Sequence, residues 1–576
     1  MKPKVIFTDN QTYYKLLESG DDYYVLTKNT WSDHGYSTKF EVKLIKNKQA
    51  YSQSNRKILF ENQSKDEESF RILRNKINKD GYVEIKDFKS SMNYISLGND
   101  YEEIKKVFPE YYTDILIILN DISCYLNNGE LSSEISSFKN HPAFNDSLLR
   151  EQSFKKAYND LILESQNKDK VGNDIKYNTP EFNFDLKLGH RYYSYKFLFH
   201  DNDNLPDRIN LIIGKNGTGK SQTLKYLAKY LMFQEEETKV TVTKHPDFIL
   251  NLIIFAYNPY EDFYIPKRNE GKEEGILIKY KYVGLKKRNN ENEIIYNPEI
   301  PKIESYISLL NLLKKDLINF KAEREKLYDT PYITQIVEHL KKADENFFGF
   351  ALKLKEDVDI EKYINKLQIF SKPEGNFIFI KPFLETLNDY TIFQNEFTFH
   401  DFNQEIYFYD KEEEILPLSS GQKIFSYLVI NLLSLIKKNS LVLIDEPETA
   451  LHPNLEISFM KILKSILDEN ESYAIVATHS SILTREVPDK FVHVISINNK
   501  IDVSIDKPIM KTFGSNIGDI TNYIFDDVFQ LEKPYQEWLE KQKENFDNYE
   551  EFYKKFRKIL SYEIHTEAKK MWLSND

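Results

Sequence analysis

One cysteine in 576 residues, Cys124, is the scarcest feature of this chain. A disulfide framework and any zinc site built on several thiolates are thereby excluded within one copy, and a reducing compartment is the expected setting. Glycine (18) and proline (19) are sparse too, and neither gathers with serine into a linker, so no boundary announces itself by composition. There is no internal repeat of solenoid period. The longest apolar-dominated run, Tyr427–Ile436, is too short for a bilayer, which takes roughly 20 residues. The opening Met1-Lys-Pro-Lys has no apolar secretion core, so a cytoplasmic location with no membrane partner is expected. Positive charge is lacking overall: a formal net charge of −12 excludes protein-wide attraction to nucleic acid and leaves only local patches.

What is present is a globular composition, 41% hydrophobic with 29% charged and 14% aromatic. The length suits roughly three to four domains, or one large α/β unit with insertions. Residues 1–180 mix short strands (Tyr23–Thr27, Lys39–Leu44) with helices such as Tyr101–Leu126, predicting an α+β domain of unknown role. From about 185 the pattern changes. Arg208-Ile-Asn-Leu-Ile-Ile213 reads as an apolar strand, then come GKNGTGKS and a helix with Leu224, Leu227, Ala228, Leu231 and Met232 on one face. Further strands at Leu441–Ile444, Tyr473–Ala477 and Phe491–Ile497 alternate with helices from near Gln422 and over Asn454–Leu467. The fold class expected is α/β, a mostly parallel sheet flanked by helices, with its core at 185–260 and 415–510. Residues 261–414 interrupt it and predict helices near 302–327, 331–343 and 359–370, hence a mostly helical insertion. Residues 511–576 predict a helical tail.

GKNGTGKS (Gly214–Ser221) satisfies the phosphate-loop pattern G-x-x-x-x-G-K-[ST] in full. Gly214, Gly217 and Gly219 let backbone N–H groups turn toward a triphosphate at a helix N-terminus, with Asn216, Thr218 and Gln222 alongside. Lys220 would reach the outer phosphates and Ser221 would offer its hydroxyl to Mg²⁺. Leu441-Val-Leu-Ile-Asp445-Glu446 ends an apolar strand in two carboxylates, Asp445 suited to Mg²⁺ and Glu446 to polarising a water. His479, just past another strand, is placed to meet the outermost phosphate. ATP and Mg²⁺ are the cofactors expected.

A second Ser/Gly turn, Leu418-Ser-Ser-Gly-Gln422, opens onto a helix some two hundred residues downstream. It resembles the signature of the ATP-binding cassette (ABC) superfamily, and the order of phosphate loop, insertion, signature, acidic strand end and switch histidine is similar throughout residues 185–500. That resemblance implies a P-loop ATPase head in which Ser419, Gly421 and Gln422 clasp, in trans, the nucleotide held by a second copy. Two departures stand out. Tyr257-Asn258-Pro259 occupies the place of the usual glutamine, making Asn258 the substitute metal residue, and Ser420 replaces a glycine. Glu448-Thr-Ala-Leu-His-Pro453 is unlike transporter subunits and similar to ATPases of DNA repair, chromosome maintenance and phage defence (the SMC, RecF and OLD-like branch).

An insertion of several short helices without cysteine cannot make the long coiled coils of SMC-like or zinc-hook ATPases. Residues 480–576 carry no clustered carboxylates of an appended Toprim-type nuclease. The resemblance that remains is to stand-alone ATPases of bacterial restriction and anti-phage systems, Ser480–Pro488 included, in which an ATP-closed homodimer or higher homo-oligomer signals to a separate effector, a nuclease or toxin. Two alternatives stay open. One is a DNA-repair ATPase clamping DNA, for which Lys279–Arg288, basic with interleaved tyrosines, is either a nucleic-acid contact or a solvated hairpin face. The other is a nuclease in its own right, with Glu84 and Lys86 (E-x-K) and Asp21 or Asp22 as an N-terminal metal site.

Overall fold

The computed structural model describes residues 2–8, 10–29, 35–65, 67–89, 93–127, 130–166, 180–199, 205–233, 239–267, 278–322, 330–358, 369–381, 402–449, 451–498, 502–525 and 534–573. The N-terminal part is a six-stranded sheet in the order Tyr82–Glu84, Lys4–Thr8, Tyr23–Lys28, Lys39–Lys46, Gln49–Phe60, Tyr94–Gly98. Lys4–Thr8 and Tyr23–Lys28 run parallel and the other neighbours antiparallel. Arg56, on the fifth strand of that order, is buried without solvent contact, donating to Asp100 at 2.7 Å, to Asp121, and to the Tyr24 hydroxyl at 2.9 Å. The single helix expected over Tyr101–Leu126 is broken. Pro109, which cannot donate a helical hydrogen bond, ends the first piece at Val107, and a second runs Tyr112–Ile118 before Asn120 takes a left-handed φ of 52°.

The larger core is built on a seven-stranded sheet, ordered Lys279–Gly284, Asn251–Ala256, Ser440–Asp445, Tyr473–Thr478, Ile209–Gly214, Val492–Asn498, Asp502–Asp506. Only the last strand is antiparallel to its neighbour. Its strands read as continuous apolar runs because both faces are covered. Alternate residues point to opposite sides: Leu211, Ile253, Phe255, Val442, Ile444 and Val476 enter one core, while Ile212, Leu252, Ile254, Leu441, Leu443 and Ile475 enter the other. The second core holds the helix Lys220–Phe233 and a three-stranded sheet of Arg191–Leu198, Glu181–Leu188 and Val240–Thr243. The first holds the helices Ile300–Ala322, Tyr332–Lys341, Ser420–Leu435 and Pro453–Glu469.

The stretch 261–414 departs from the expected helical insertion. Lys279–Gly284 is the edge strand of the core sheet, and a four-stranded antiparallel sheet is built from Ile369–Lys372, Gly375–Ile380, Gly349–Leu354 and Phe402–Tyr409. Successive residues enter different clusters, Phe350, Leu352, Ile378 and Ile380 the first core and Ala351, Phe377 and Phe379 a separate one, a period of two that helical expectation passed over. The helix expected at 302–327 runs Ile300–Ala322, with 323–327 outside the described residues. The one expected at 359–370 lies mostly outside them, and Ile369 and Phe370 begin a strand. The tail is helical where described: Ile517–Phe525 packs Ile520 and Ile524 into the first core, and the helices Pro534–Asn545, Tyr549–Phe556 and Tyr562–Leu573 close around Leu539, Phe552 and Ala568. Among the described residues no helix is long and apolar enough to cross a membrane.

Candidate functional site

Register brings the motifs together. Ala256 pairs with Asp445, Asp445 with Ala477, and Ile213 with Thr478, so four parallel strands end at one level. Asn258, Glu446, His479 and the phosphate loop, each lying just past one of these ends, therefore share one edge. The loop turns through Gly217 (φ 75°) and Gly219 (φ 103°), left-handed values that favour glycine. At Gly219 a Cβ would also lie 2.7 Å from the Tyr193 hydroxyl, which donates to the Thr218 carbonyl at 3.0 Å. Thr218 is buried and its hydroxyl donates to the Lys215 carbonyl at 2.8 Å, while Asn216 and Gly217 are exposed.

Lys220 is 4% exposed, and its Nζ donates to the carbonyls of Gly214 at 2.9 Å and Lys215 at 3.1 Å and lies 3.3 Å from His479 Nδ1. Burial lowers its ammonium to about 8 against the upward pull of Glu446, Glu448 and Asp445. The Ser221 hydroxyl donates to Asp445 Oδ1 at 3.0 Å. Asp445 is pushed up to about 7, chiefly by burial, with the Ser221 hydrogen bond opposing and the Glu446 charge adding. Glu446 sits at a left-handed φ of 48°, its N–H donating to the Ala477 carbonyl at 2.9 Å. Its Oε1 lies 2.8 Å from His479 Nε2, and this contact, more than any other, holds its carboxyl low; Asn258 also donates to it. Hydroxyl, carboxylate and amide oxygens at Ser221, Asp445 and Asn258 are the donor set a hard divalent cation takes, and a buried carboxylate held near neutrality is one such a charge would relieve.

The signature turn is built differently. Ser419 caps the helix Ser420–Leu435, accepting from Gln422 N at 3.3 Å while Gln422 Oε1 accepts from Ser419 N at 3.0 Å, a reciprocal capping box. Phe425, Leu428, Val429 and Leu432 anchor the helix in the first core. Ser419 and Ser420 are exposed and Gly421 half-buried at its start, and the hydrogen bonds of Ser419 and Gln422 stay within residues 419–426 among the described residues. The turn is not brought to this chain's own phosphate loop by any of them.

Other expected sites come out otherwise. Glu84 ends its strand and pairs with Lys86 at 2.6 Å, and Asp21 pairs with Lys4 at 3.0 Å, so the E-x-K carboxylates are engaged by lysines. Among the described residues no group of three or more His, Cys, Asp or Glu side chains is placed to hold a metal ion. Lys279–Arg288 is no single hairpin face: Lys279–Gly284 joins the core sheet, Lys286 meets Glu261 at 3.5 Å, and Arg288 Nε donates to the Ile265 carbonyl at 2.8 Å.

Sequence reading missed a cavity of about 370 Å³ beside the loop, lined by Leu188, His190, Arg191 and Tyr193 of the Glu181–Leu198 hairpin with Gly217, Gly219 and Gln222. It also missed Glu448 and Glu456, which contact the switch turn. The spacing of Glu448 from Glu446 was visible, but nothing local indicated what it would touch.

Residues 299–485 match the family described as AAA domain, putative AbiEii toxin, Type IV TA system. Protein ea59 of Escherichia phage lambda is 24% identical over 380 residues, a match covering 64% of this chain and 63% of that protein, under two thirds of its length. The SMC head domain from Thermotoga maritima is similar at 13% identity and a TM-score of 0.26, over 57% of this chain and 98% of that one. UvrA2 from Deinococcus radiodurans gives 11% identity and 0.26, over 60% and 40%. The family match takes in Leu418–Gln422, the strand Ser440–Asp445 and His479, and the phosphate-loop pattern precedes it on the same sheet, an arrangement similar to that of P-loop ATPases.

Proposed function

We propose that this chain binds ATP with Mg²⁺, closes as a homodimer on two nucleotides, hydrolyses them, and thereby switches a separate effector, a nuclease or toxin, in bacterial anti-phage defence. One observation carries the reading: the sheet edge that joins Lys220, Ser221, Asp445, Glu446 and His479 sits in the same chain as a pre-capped Ser/Gly turn that makes no hydrogen bond to it among the described residues. A helix N-terminus displayed this way presents free backbone N–H groups to an anion. The match to a family described as a putative toxin of a toxin–antitoxin system supports the defence setting.

Within the site, Lys220 exchanges two carbonyl partners for phosphate oxygens. The cavity beside Gly217 and Gly219 has a volume within the range of about 300–1,000 Å³ typical of small-molecule pockets and takes the nucleoside end. Glu446, held ionised by His479, is ready to accept a proton from water. His479 links that carboxylate to Lys220 and so to the terminal phosphate. Ser221, Asp445 and Asn258 would hold Mg²⁺, which supplies charge neutralisation across the phosphate oxygens.

The test is the mass of Glu446→Gln in solution. With ATP and Mg²⁺ it is expected to convert to a dimer or higher species, and Ser419→Arg in the same chain to prevent this. A mass that nucleotide leaves unchanged, with no crosslink between positions 419 and 218, would count against the trans-acting turn.

A further inference from the structure

Between the acidic pair and the switch turn lies a group that the hydrolytic scheme leaves unused. Glu448, on the short turn Pro447–Thr449, accepts a hydrogen bond at Oε1 from the backbone N–H of His479. The Thr478 hydroxyl also donates to its carboxyl. Its Oε2 is buried and without a hydrogen-bond partner among the described residues. The turn is tied to Glu446 in its own right, since Thr449 donates to the Glu446 carbonyl through N at 3.1 Å and Oγ1 at 2.8 Å. One residue past His479, the Ser480 hydroxyl donates to Glu456, 5% exposed on the helix Pro453–Glu469, and accepts from the N–H groups of Ile482 at 3.1 Å and Leu483 at 3.2 Å. Three consecutive switch residues are thus gripped by two carboxylates that arrive from the acid-strand side.

That grip costs free energy: burial pushes both carboxyls up, and the charge of Glu448 adds to the upward push on Glu456. Carboxylates kept at such sites point to a geometric demand. We propose that Glu448 is a positioning residue for hydrolysis, fixing the main chain of His479 so that its ring meets Glu446 at 2.8 Å and Lys220 at 3.3 Å, with Glu456 steadying the next residue. The inference rests on the reading of Glu446 and His479 as the hydrolytic pair.

The experiment is steady-state ATP hydrolysis by the full chain, compared with Glu448→Ala, Glu448→Gln, His479→Ala and the double variant Glu448→Ala/His479→Ala. Glu448→Ala is expected to lower kcat on the order of tenfold to a hundredfold with KM for ATP within about twofold, the size of effect a misplaced reacting group produces. Glu448→Gln keeps an acceptor oxygen for the His479 N–H and should recover most of the loss. In the His479→Ala background the further change to Ala at 448 should cost less than about twofold, because the group it acts through is already gone. Equal losses in both backgrounds, or Gln no better than Ala, would overturn the proposal. If Glu448→Ala does not fold, Glu448→Asp, whose carboxylate is withdrawn by one methylene, takes its place in the same comparison. A wild-type chain that hydrolyses no ATP overturns the hydrolytic reading and this one together; a hydrolysing wild type with additive losses overturns this one alone.

Discussion

Lys220 has its chemistry set by where it is buried. Within the fold its charged form is disfavoured, with an ammonium lowered to about 8 from 10.5, so folding stability from this position rises as pH climbs from about 8 toward 10.5. Triphosphate binding has the opposite sign, because it draws on the ammonium. ATP affinity is expected to be flat below about pH 8 and to fall by about tenfold per pH unit above it, until the lysine would deprotonate even in the complex. Titration of a fluorescent ATP analogue across about pH 7–10 reads this out. Lys220→Met should bind weakly with that slope removed. The identity of Lys220 was plain from GKNGTGKS, but its titration was not, since the carboxylates that pull on it lie more than two hundred residues away.

At the scale of elements, the signature helix shows how local and tertiary forces divide. Its start is a short-range matter: Ser419 and Gln422 satisfy each other's backbone N–H groups. Its persistence comes from the buried face of Phe425, Leu428, Val429 and Leu432. Ser419→Ala is therefore expected to leave the helix in place and to cost about 1 kcal/mol at its first turn. Hydrogen exchange should show the amides of Gly421 to Lys423 opening about fivefold faster, with those beyond Phe425 unchanged. The edge strand Lys279–Gly284 illustrates the reverse case. Lys279 and Lys281 are exposed while Tyr280 and Tyr282 are half-buried, so the stretch carries a true strand period that reads equally well as a solvated hairpin. Only pairing with Asn251–Ala256 decides it.

Across the whole molecule, the six-stranded sheet of the N-terminal part carries a buried guanidinium at Arg56. Arg56 and its partners Asp100 and Asp121 have no solvent exposure, so removing the guanidinium leaves two buried carboxylates with only the neutral donors Tyr24, Tyr101 and Ser123 N–H beside them. Arg56→Ala is expected to destabilise this part by about 3–5 kcal/mol, read as an earlier unfolding transition in urea. The edge proposed to bind nucleotide lies on a different sheet with its own cores, so binding of the ATP analogue should survive below that transition.

The phosphate loop, the acidic pair Asp445 and Glu446, the signature turn and His479 were legible in the sequence because each is a contiguous run whose chemistry depends on its neighbours in the chain. The succession of apolar strands likewise made the parallel sheet legible, since strands covered on both faces have no polar alternation. Only the tertiary structure decided that these runs share an edge. The sheet places strands in an order unlike their order in the chain, so Ser221 meets Asp445 across 224 residues and Lys220 meets His479 across 259. It also decided that Asn258 reaches Glu446, that Arg56 has two carboxylates, and that Glu448 and Glu456 hold the switch turn. Contacts of that span depend on register between distant strands, which no local pattern of side chains encodes.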